Sequence, residues 1–315
     1  MKYLITGGAG FIGSCFLKYM INKYPNDIFV CVDLLTYAGK MENMNNYINH
    51  KNFKFYKLDI CDRKAINEIF EKEMFDYVIN FAAESHVDNS IKTPDIFVKT
   101  NVLGTQVLLD ASLKYKVKRF HQISTDEVYG DSKLDNKLFT ELSNLNPSSP
   151  YSASKASADM LVKSYHRTYG LDVTISRCSN NFGPNQFEEK LIPLVIKKAL
   201  NNEVIPIYGN GLNLRDWIYV YDHCEAINLI IKNGIAGNIY NVSTNKEITN
   251  IDLVKYILNY LNKPLDLIKY VDDRLGHDIK YGIDSNKIKK DLGWYPKSNF
   301  KDCLNKTIDY YVDKR

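Results

Sequence analysis

The sequence predicts an α/β fold: a doubly wound parallel sheet followed by a smaller mixed α/β lobe. Three observations carry that prediction. Short apolar runs alternate with longer helix-like segments through the first half of the chain, a glycine-rich turn follows the first run, and the alternation breaks down after about Arg177, where Gly183-Pro184 opens a less regular stretch.

The runs YLIT (3–6), IFVCVD (28–33), FKFYKLD (53–59), YVINFAA (77–83), FHQIS (120–124) and VTISR (173–177) are short and largely apolar. Strands of a parallel sheet read this way because helices cover both faces and leave no solvent side for polar alternation. Segments 95–115 and 151–169 place apolar residues at helical spacing. Beyond Arg177, VIPIYG (204–209) and NIYNV (238–242) read as shorter strands, and helices are expected near 190–200, 222–232 and 250–261. The expected division is a nucleotide-binding Rossmann-type domain over 1–177 and a substrate-binding lobe over 178–315, with segments of the second able to return to the first.

Composition excludes several classes of function. The 41 Lys and Arg barely outnumber the 37 Asp and Glu, and no basic block stands out, which argues against a nucleic-acid surface or a polybasic membrane anchor. The first apolar run is interrupted at Thr6, Gly7 and Gly8, too early for a signal-peptide core, and no stretch is long enough to span a bilayer. Cysteines at 15, 31, 61, 178, 224 and 303 form no CxxC pair, so a soluble protein of the reducing cytoplasm is expected.

The turn Thr6-Gly7-Gly8-Ala9-Gly10-Phe11-Ile12-Gly13 lies between a strand and a helix. Glycines there let the backbone approach a pyrophosphate, and the helix amino end offers N–H groups and a positive dipole. A glycine-rich turn alone is weak evidence; here Asp33 ends the second strand twenty positions after Gly13, placed to bond the adenosine ribose. An acidic group there repels a 2′-phosphate, so NAD is expected over NADP. Gly7, Gly10, Phe11, Ile12, Gly13 and Asp33 are therefore candidate cofactor contacts, as are Asp59, Ile60, Phe81, Ala82 and Ala83 at the carboxyl ends of the third and fourth strands.

Tyr151-Ser152-Ala153-Ser154-Lys155 sets a phenol and an ammonium one helical turn apart. A neighbouring Lys lowers a phenol pKa and makes tyrosinate a usable base for an alcohol under oxidation. The spacing recurs at Tyr19/Lys23, Tyr47/Lys51 and Tyr310/Lys314, but only Tyr151 opens a helix after a Pro-containing loop and follows a strand ending in Ser124-Thr125. Asp126 and Glu127 come next. Adjacent strand residues point to opposite faces, so both acids can face one site only from a turn, which is expected here.

This ensemble resembles the extended short-chain dehydrogenase/reductase family over nearly the whole chain. Within that family DLLTYAGK, FAAESHVD, TNVLGT, STDEVYG, YSASKASAD, RCSNNFGPNQFEEKLIP, YGNGLNLRDWIYVYDH and DRLGHD are similar to the nucleoside-diphosphate-glucose 4,6-dehydratases. The resemblance implies Tyr151 as base, with Lys155 also on the nicotinamide ribose, Asp126 as the acid at O6, Glu127 as the base at C5 and Thr125 bonded to O4. It implies Ser85 and Asn180 on the substrate, and Thr100 and Asn181 near the cofactor. Lys190, Leu191, Arg215, Asn250, Arg274 and His277 would bind the nucleotide diphosphate.

Asn89, Glu188 and Leu275 depart from the family pattern, and dTDP-glucose and UDP-glucose both stand as substrates. The resemblance also implies a homodimer through 95–115 and 151–169. Each assignment has a bland counterpart: Arg215 as a surface ion pair with Asp216, Lys190 as a solvated helix end, His277 as a loop histidine. His86 and Asp88 lack a third ligand at suitable spacing, so no metal is expected. A UDP-sugar 4-epimerase and a non-catalytic NAD-binding sensor are the competing readings of the same fold.

Overall fold

The computed structural model describes residues 1–132, 138–273 and 276–314. Its strands are β1 (Lys2–Thr6), β2 (Ile28–Asp33), β3 (Phe53–Lys57), β4 (Tyr77–Asn80), β5 (Arg119–Thr125), β6 (Val173–Cys178), β7 (Asn180–Phe182), β8 (Ile205–Tyr208), β9 (Leu214–Tyr219), β10 (Ile239–Val242), β11 (Glu247–Thr249) and β12 (Ile268–Val271). Its helices are α1 (Phe11–Lys23), α2 (Arg63–Glu73), α3 (Val87–Lys92), α4 (Pro94–Phe97), α5 (Thr105–Lys114), α6 (Pro150–Tyr169), α7 (Leu191–Leu200), α8 (Val220–Asn233), α9 (Asn250–Tyr260), α10 (Asn286–Leu292) and α11 (Phe300–Asp313).

The main sheet has seven strands in the order β10-β6-β5-β4-β1-β2-β3, and every neighbouring pair runs parallel. The order reverses direction between β1 and β4, which opens the crevice where ligands bind in such sheets. Strand periodicity explains both faces. Leu4, Val30 and Val32 pack with α2, α5 and α6 on one side, while Tyr3, Ile5, Phe29 and Cys31 pack with α1 and α8 on the other. NIYNV forms β10 beside β6 in this sheet, and α8 covers the α1 face, so residues 220–242 run within the layers of the larger sheet. The remaining lobe has a core of its own, built from α7, α9, α11, β8 and β9, over the small sheets β11-β9-β7 and β12-β8.

Three predicted elements differ from what forms. The third and fourth strands end at Lys57 and Asn80, and Asp59 and Phe81–Ala83 run on as irregular chain over the glycine turn. Phe81 N–H donates to the Thr6 carbonyl, the last backbone bond that holds this segment to β1. The helix expected over 95–115 is helical throughout, but Val98–Gly104 is π-helical between α4 and α5. The wider turn aims Asn101 inward, where its carboxamide accepts from Glu84 N (2.8 Å) and donates to Glu84 O (3.0 Å) and Ser154 Oγ (2.8 Å). One side chain thus ties the loop after β4 to α6.

α6 is fixed more deeply by an ion pair. Asp159 Oδ2 accepts from Arg177 Nε on β6 at 2.9 Å with both side chains buried, and the guanidinium lies 4.8 Å over the Tyr129 ring. Removing one partner of such a pair strands a charge without water, at a cost of about 3–5 kcal/mol. Asp159→Ala is therefore expected to lose about that much stability, and Asp159→Leu/Arg177→Leu substantially less. Urea denaturation checks this; a single variant within about 1 kcal/mol of the parent contradicts it.

Candidate active site

A cleft of about 370 Å³ runs along the carboxyl ends of the main strands, closed on one side by residues 178–190. The glycine turn forms one end. Gly7 has φ +67°, and a Cβ there would stand 2.6 Å from Ala82 N; a Cβ on Gly13 would stand 2.4 Å from the Gly7 carbonyl. Only glycine permits this packing, and it lays the backbone of Gly10 to Gly13 and the α1 amino end against the cleft. Asp33 is buried beside them, one carboxylate oxygen accepting from Ala9 N (2.9 Å) and the other from Leu35 N (2.8 Å). A glycine cradle, a helix dipole and an acid at the end of β2 fit a dinucleotide whose ribose keeps both hydroxyls.

The reacting end is built on β5. Thr125 ends the strand, and Asp126–Tyr129 wind into a 3-10 turn, so the two acids sit on a turn as the sequence predicts. Thr125 Oγ1 accepts from Glu127 N (3.3 Å) and donates to Asp126 Oδ1 (3.2 Å). Asp126 is 3% exposed, and its Oδ2 has no hydrogen-bond partner among the described residues. Burial, and after it the charge of Glu127, pushes this carboxyl up to about 8. Asp126 is therefore mostly protonated at neutral pH, whereas an ordinary aspartate is not.

Tyr151 enters the cleft from the first turn of α6, whose start is fixed by Pro150 and a reciprocal Ser149–Ser152 cap. Thr125 lines the same cleft. The expected lowering of the phenol by Lys155 does not occur in this arrangement. Burial drives Tyr151 well above the usual tyrosine range, Glu127 pushes the same way, and Lys155 directs its ammonium to the Ile123 carbonyl at 2.6 Å. Burial lowers Lys155 while Asp159, one turn along α6, opposes that.

The predicted cofactor residues Gly7, Gly10, Phe11, Ile12, Gly13, Asp33, Asp59, Ile60, Phe81, Ala82, Ala83, Thr100 and Asn181 all line this cleft, as do Ser85, Asn180 and Lys190. Lys190 donates to the Ser85 carbonyl at 3.0 Å, so it bridges the two sides of the cleft. Leu191, Arg215, Asn250 and His277 are not among the lining residues. Arg274 and Leu275 fall outside the described residues.

The surface ion pair considered for Arg215 does not form. Its buried guanidinium donates to the carbonyls of Leu214, Asp278 and Ile279 and lies 4.3 Å over the Tyr281 ring, while Asp216 turns to Ser179 and Thr244. Asn250 opens α9 with its side-chain oxygen buried, and His277 Nδ1 lies 2.6 Å from Asp273. Unforeseen cleft residues include Glu84, Cys178, Phe187 and Glu189. All four belong to quoted family-like stretches, but which side chains face inward is set by loop geometry that sequence spacing does not encode.

Comparison with known proteins agrees with this geometry. The family model described as GDP-mannose 4,6 dehydratase matches residues 4–307. A dTDP-glucose 4,6-dehydratase of Escherichia coli is 45% identical, the match covering 100% of this chain and 94% of that protein. The chain belongs to the nucleotide-sugar 4,6-dehydratases of the extended short-chain dehydrogenase/reductase family. Among solved structures, the dTDP-glucose 4,6-dehydratase of Streptomyces venezuelae with NAD bound superposes with a TM-score of 0.97 at 43% identity, over 100% of this chain and 98% of that one. A UDP-glucose 4-epimerase of Thermotoga maritima also superposes, with a TM-score of 0.93 at 32% identity over 100% and 99% of the chains. Fold alone thus does not separate these 4,6-dehydratases from epimerases.

The Asp126 shift has a thermodynamic signature. Its folded value of about 8 lies above the unfolded one, so the native state holds a proton that the unfolded chain has already released. Stability from this group is complete below the unfolded value near ~3.9 and falls as pH rises toward the folded one, by up to ~1.4 kcal/mol per pH unit. Asp126→Asn removes that contribution, so the difference between variant and parent in urea denaturation grows in the variant's favour from about pH 5 to about pH 7.5. A pH-independent difference would contradict the raised value.

Proposed function

We propose that this chain is an NAD-dependent dTDP-glucose 4,6-dehydratase, converting the nucleotide-linked glucose to the 4-keto-6-deoxy sugar and water. The observation that carries the proposal is a buried Asp126, whose burial pushes its carboxyl up, beside Glu127 and in one cleft with Tyr151 and a dinucleotide cradle. Bound NAD accepts the C4 hydride, later returns it at C6, and brings a positive ring charge into the cleft.

The residues divide the remaining work. Tyr151 takes the O4 proton as tyrosinate, a form that Lys155 and the positive nicotinamide ring would favour once NAD is bound, with Thr125 lining the same cleft. The C4 ketone acidifies C5–H; Glu127 removes that proton, and Asp126 gives its own to the departing O6, which leaves as water. Glu127 returns its proton to C5 as hydride reaches C6. The cycle leaves Tyr151 with one proton more and Asp126 with one fewer; Thr125, which lines the same cleft and donates to Asp126, is the residue we assign to return that proton. On the nucleotide side Lys190 supplies positive charge within the cleft, with Ser85 and Asn180 on the sugar; Arg215, Leu191, Asn250 and His277, which do not line the cleft, are assigned to its extension toward the nucleotide.

The test is product identity. NMR of reactions with dTDP-glucose and UDP-glucose, with kcat/KM for each, should show a 4-keto-6-deoxy product and preference for the thymidine nucleotide. Formation of the C4 epimer instead would assign the chain to the epimerases, and NAD binding without turnover would make it a sensor. Asp126→Asn should keep single-turnover formation of reduced cofactor and slow loss of the C6 hydroxyl by ~100-fold or more, whereas Tyr151→Phe should block the oxidation itself. Equal loss of the first half-reaction in both variants contradicts the assigned roles.

We also propose a cytoplasmic homodimer. All six cysteines are free thiols, which suits a reducing compartment, and no helix among the described residues is long and apolar enough to cross a membrane. Ile91, Ile96, Val98, Leu103 and Met160 are each at least 38% exposed along α3, α4, the π-helical turn and α6, a face that a second copy would cover. Light scattering should give twice the chain mass, and Val98→Glu/Leu103→Glu should give a monomer. A single-chain mass for the parent at micromolar concentration rejects the dimer.

A further inference from the structure

Asn181 lines the cleft with Cys178, Tyr151 and Lys155, and its side chain is fully committed on the far side. Its Nδ2 donates to the Ser179 carbonyl at 3.0 Å and approaches Cys178 Sγ at 3.4 Å. A peptide carbonyl only accepts, so the amide nitrogen must face Ser179 and the amide oxygen must face the other way. That oxygen lies 2.9 Å from Nδ1 of His223, in the first turn of α8. The contact therefore requires a proton on Nδ1.

His223 is 0% exposed, and its Nε2 has no hydrogen-bond partner among the described residues. Burial holds the ring neutral by pushing it down to about 3, which leaves Nε2 as a bare lone pair and Nδ1 as the single donor. The ring thus has one tautomer and one polar contact. A buried imidazole with a single use is costly to keep, and the use it has is to fix a carboxamide in the wall of the cleft. α8 packs with α1, so His223 also links Asn181 to the helix that carries the glycine cradle.

We propose that His223 is a positioning residue for the nicotinamide end of the cofactor, acting through Asn181. The inference rests on the dehydratase reading for its cofactor. His223 touches no reacting atom. By holding the Asn181 amide in one orientation it presents a fixed wall to the ring, which must stay in register through two opposite hydride transfers within one turnover. No other donor among the described residues reaches Asn181 Oδ1, so loss of the imidazole leaves that oxygen unsatisfied and the amide free to turn.

The test compares donors of different reach. His223→Asn places an N–H near the Nδ1 position, His223→Gln displaces it outward, and His223→Leu removes it. NAD affinity, measured by titration calorimetry on the full chain, should weaken on the order of tenfold in the Leu variant, as expected when a buried acceptor loses its donor. The Gln variant should be affected similarly, and the Asn variant should stay within about threefold of the parent. In an Asn181→Ala background, His223→Leu should cost no further NAD affinity, because the group it positions is gone. Release of reduced cofactor during single turnover should rise in the Leu and Gln variants while KM for the sugar nucleotide stays unchanged. Equal NAD affinity in the Asn, Gln and Leu variants, or losses that simply multiply in the Asn181→Ala background, overturns the proposal. Should the Leu variant fail to fold, the Asn and Gln pair decides alone. Absence of a 4-keto product from the parent chain would reject the dehydratase reading while leaving these binding measurements to judge His223.

Discussion

Two carboxyl groups on consecutive residues cannot both be ionised in a dry cleft without a large electrostatic cost, and the site resolves this by burying one of them. The 3-10 turn after β5 puts Asp126 inside and leaves Glu127 only partly covered. Burial disfavours the charged form of Asp126, and the charge on Glu127 disfavours it again. Side chains of nearly identical intrinsic strength thus come to differ in environment. The division of labour proposed for the elimination rests on that asymmetry, and the asymmetry rests on where the strand ends.

Placing the turn is not enough; the groups facing it must also be fixed. Tyr151 and Lys155 ride on α6, which is tied to β6 through the Asp159–Arg177 pair and to the loop after β4 through Asn101. These ties come from opposite sides of the helix region, one deep in the sheet and one at the cleft's rim. The π-helical turn has a clear part in this, since its extra residue lets Asn101 hold both backbone groups of Glu84 while Thr100 lines the cleft. Lys190 closes the opposite wall by reaching the Ser85 carbonyl. Rigid anchoring of this kind suits chemistry in which several groups act on one ring in sequence.

Much of this was readable in the chain itself. The six leading strands, the glycine turn, Asp33 and the Tyr151–Lys155 pair follow from local pattern, because strand period, turn chemistry and helical spacing are local properties. Alternation also placed Asp126 and Glu127 on a turn, correctly. What could not be read is set by burial and by contacts across the fold. NIYNV looks like any short apolar strand, and only its partner β6 places it in the large sheet. The YxxxK spacing suggests a lowered phenol, but spacing gives no measure of desolvation, which dominates at Tyr151. Arg215 next to Asp216 reads as an ion pair, yet adjacent residues of β9 face opposite ways, and each finds other partners. His223 gave no signal, since its single contact is with a residue 42 positions away.

The protonation of Asp126 also shows why proximity of charge is a poor guide on its own. Arg215 is close enough to favour the ionised carboxylate, and a cation beside an acid usually lowers its pKa. Here that influence ranks below burial, below the charge of Glu127 and below the Thr125 hydrogen bond. The guanidinium lies against three backbone carbonyls and a tyrosine ring, so its position is dictated by the lobe's backbone and not by the acid. Had the arginine paired directly with Asp126, the acid would be ionised at neutral pH and unable to protonate a leaving hydroxyl. Keeping the Arg215 guanidinium away from Asp126 is therefore a constraint on β9 alongside the one on β5. In the proposed mechanism both are needed: a turn that separates the environments of the two acids, and a neighbouring cation kept occupied elsewhere.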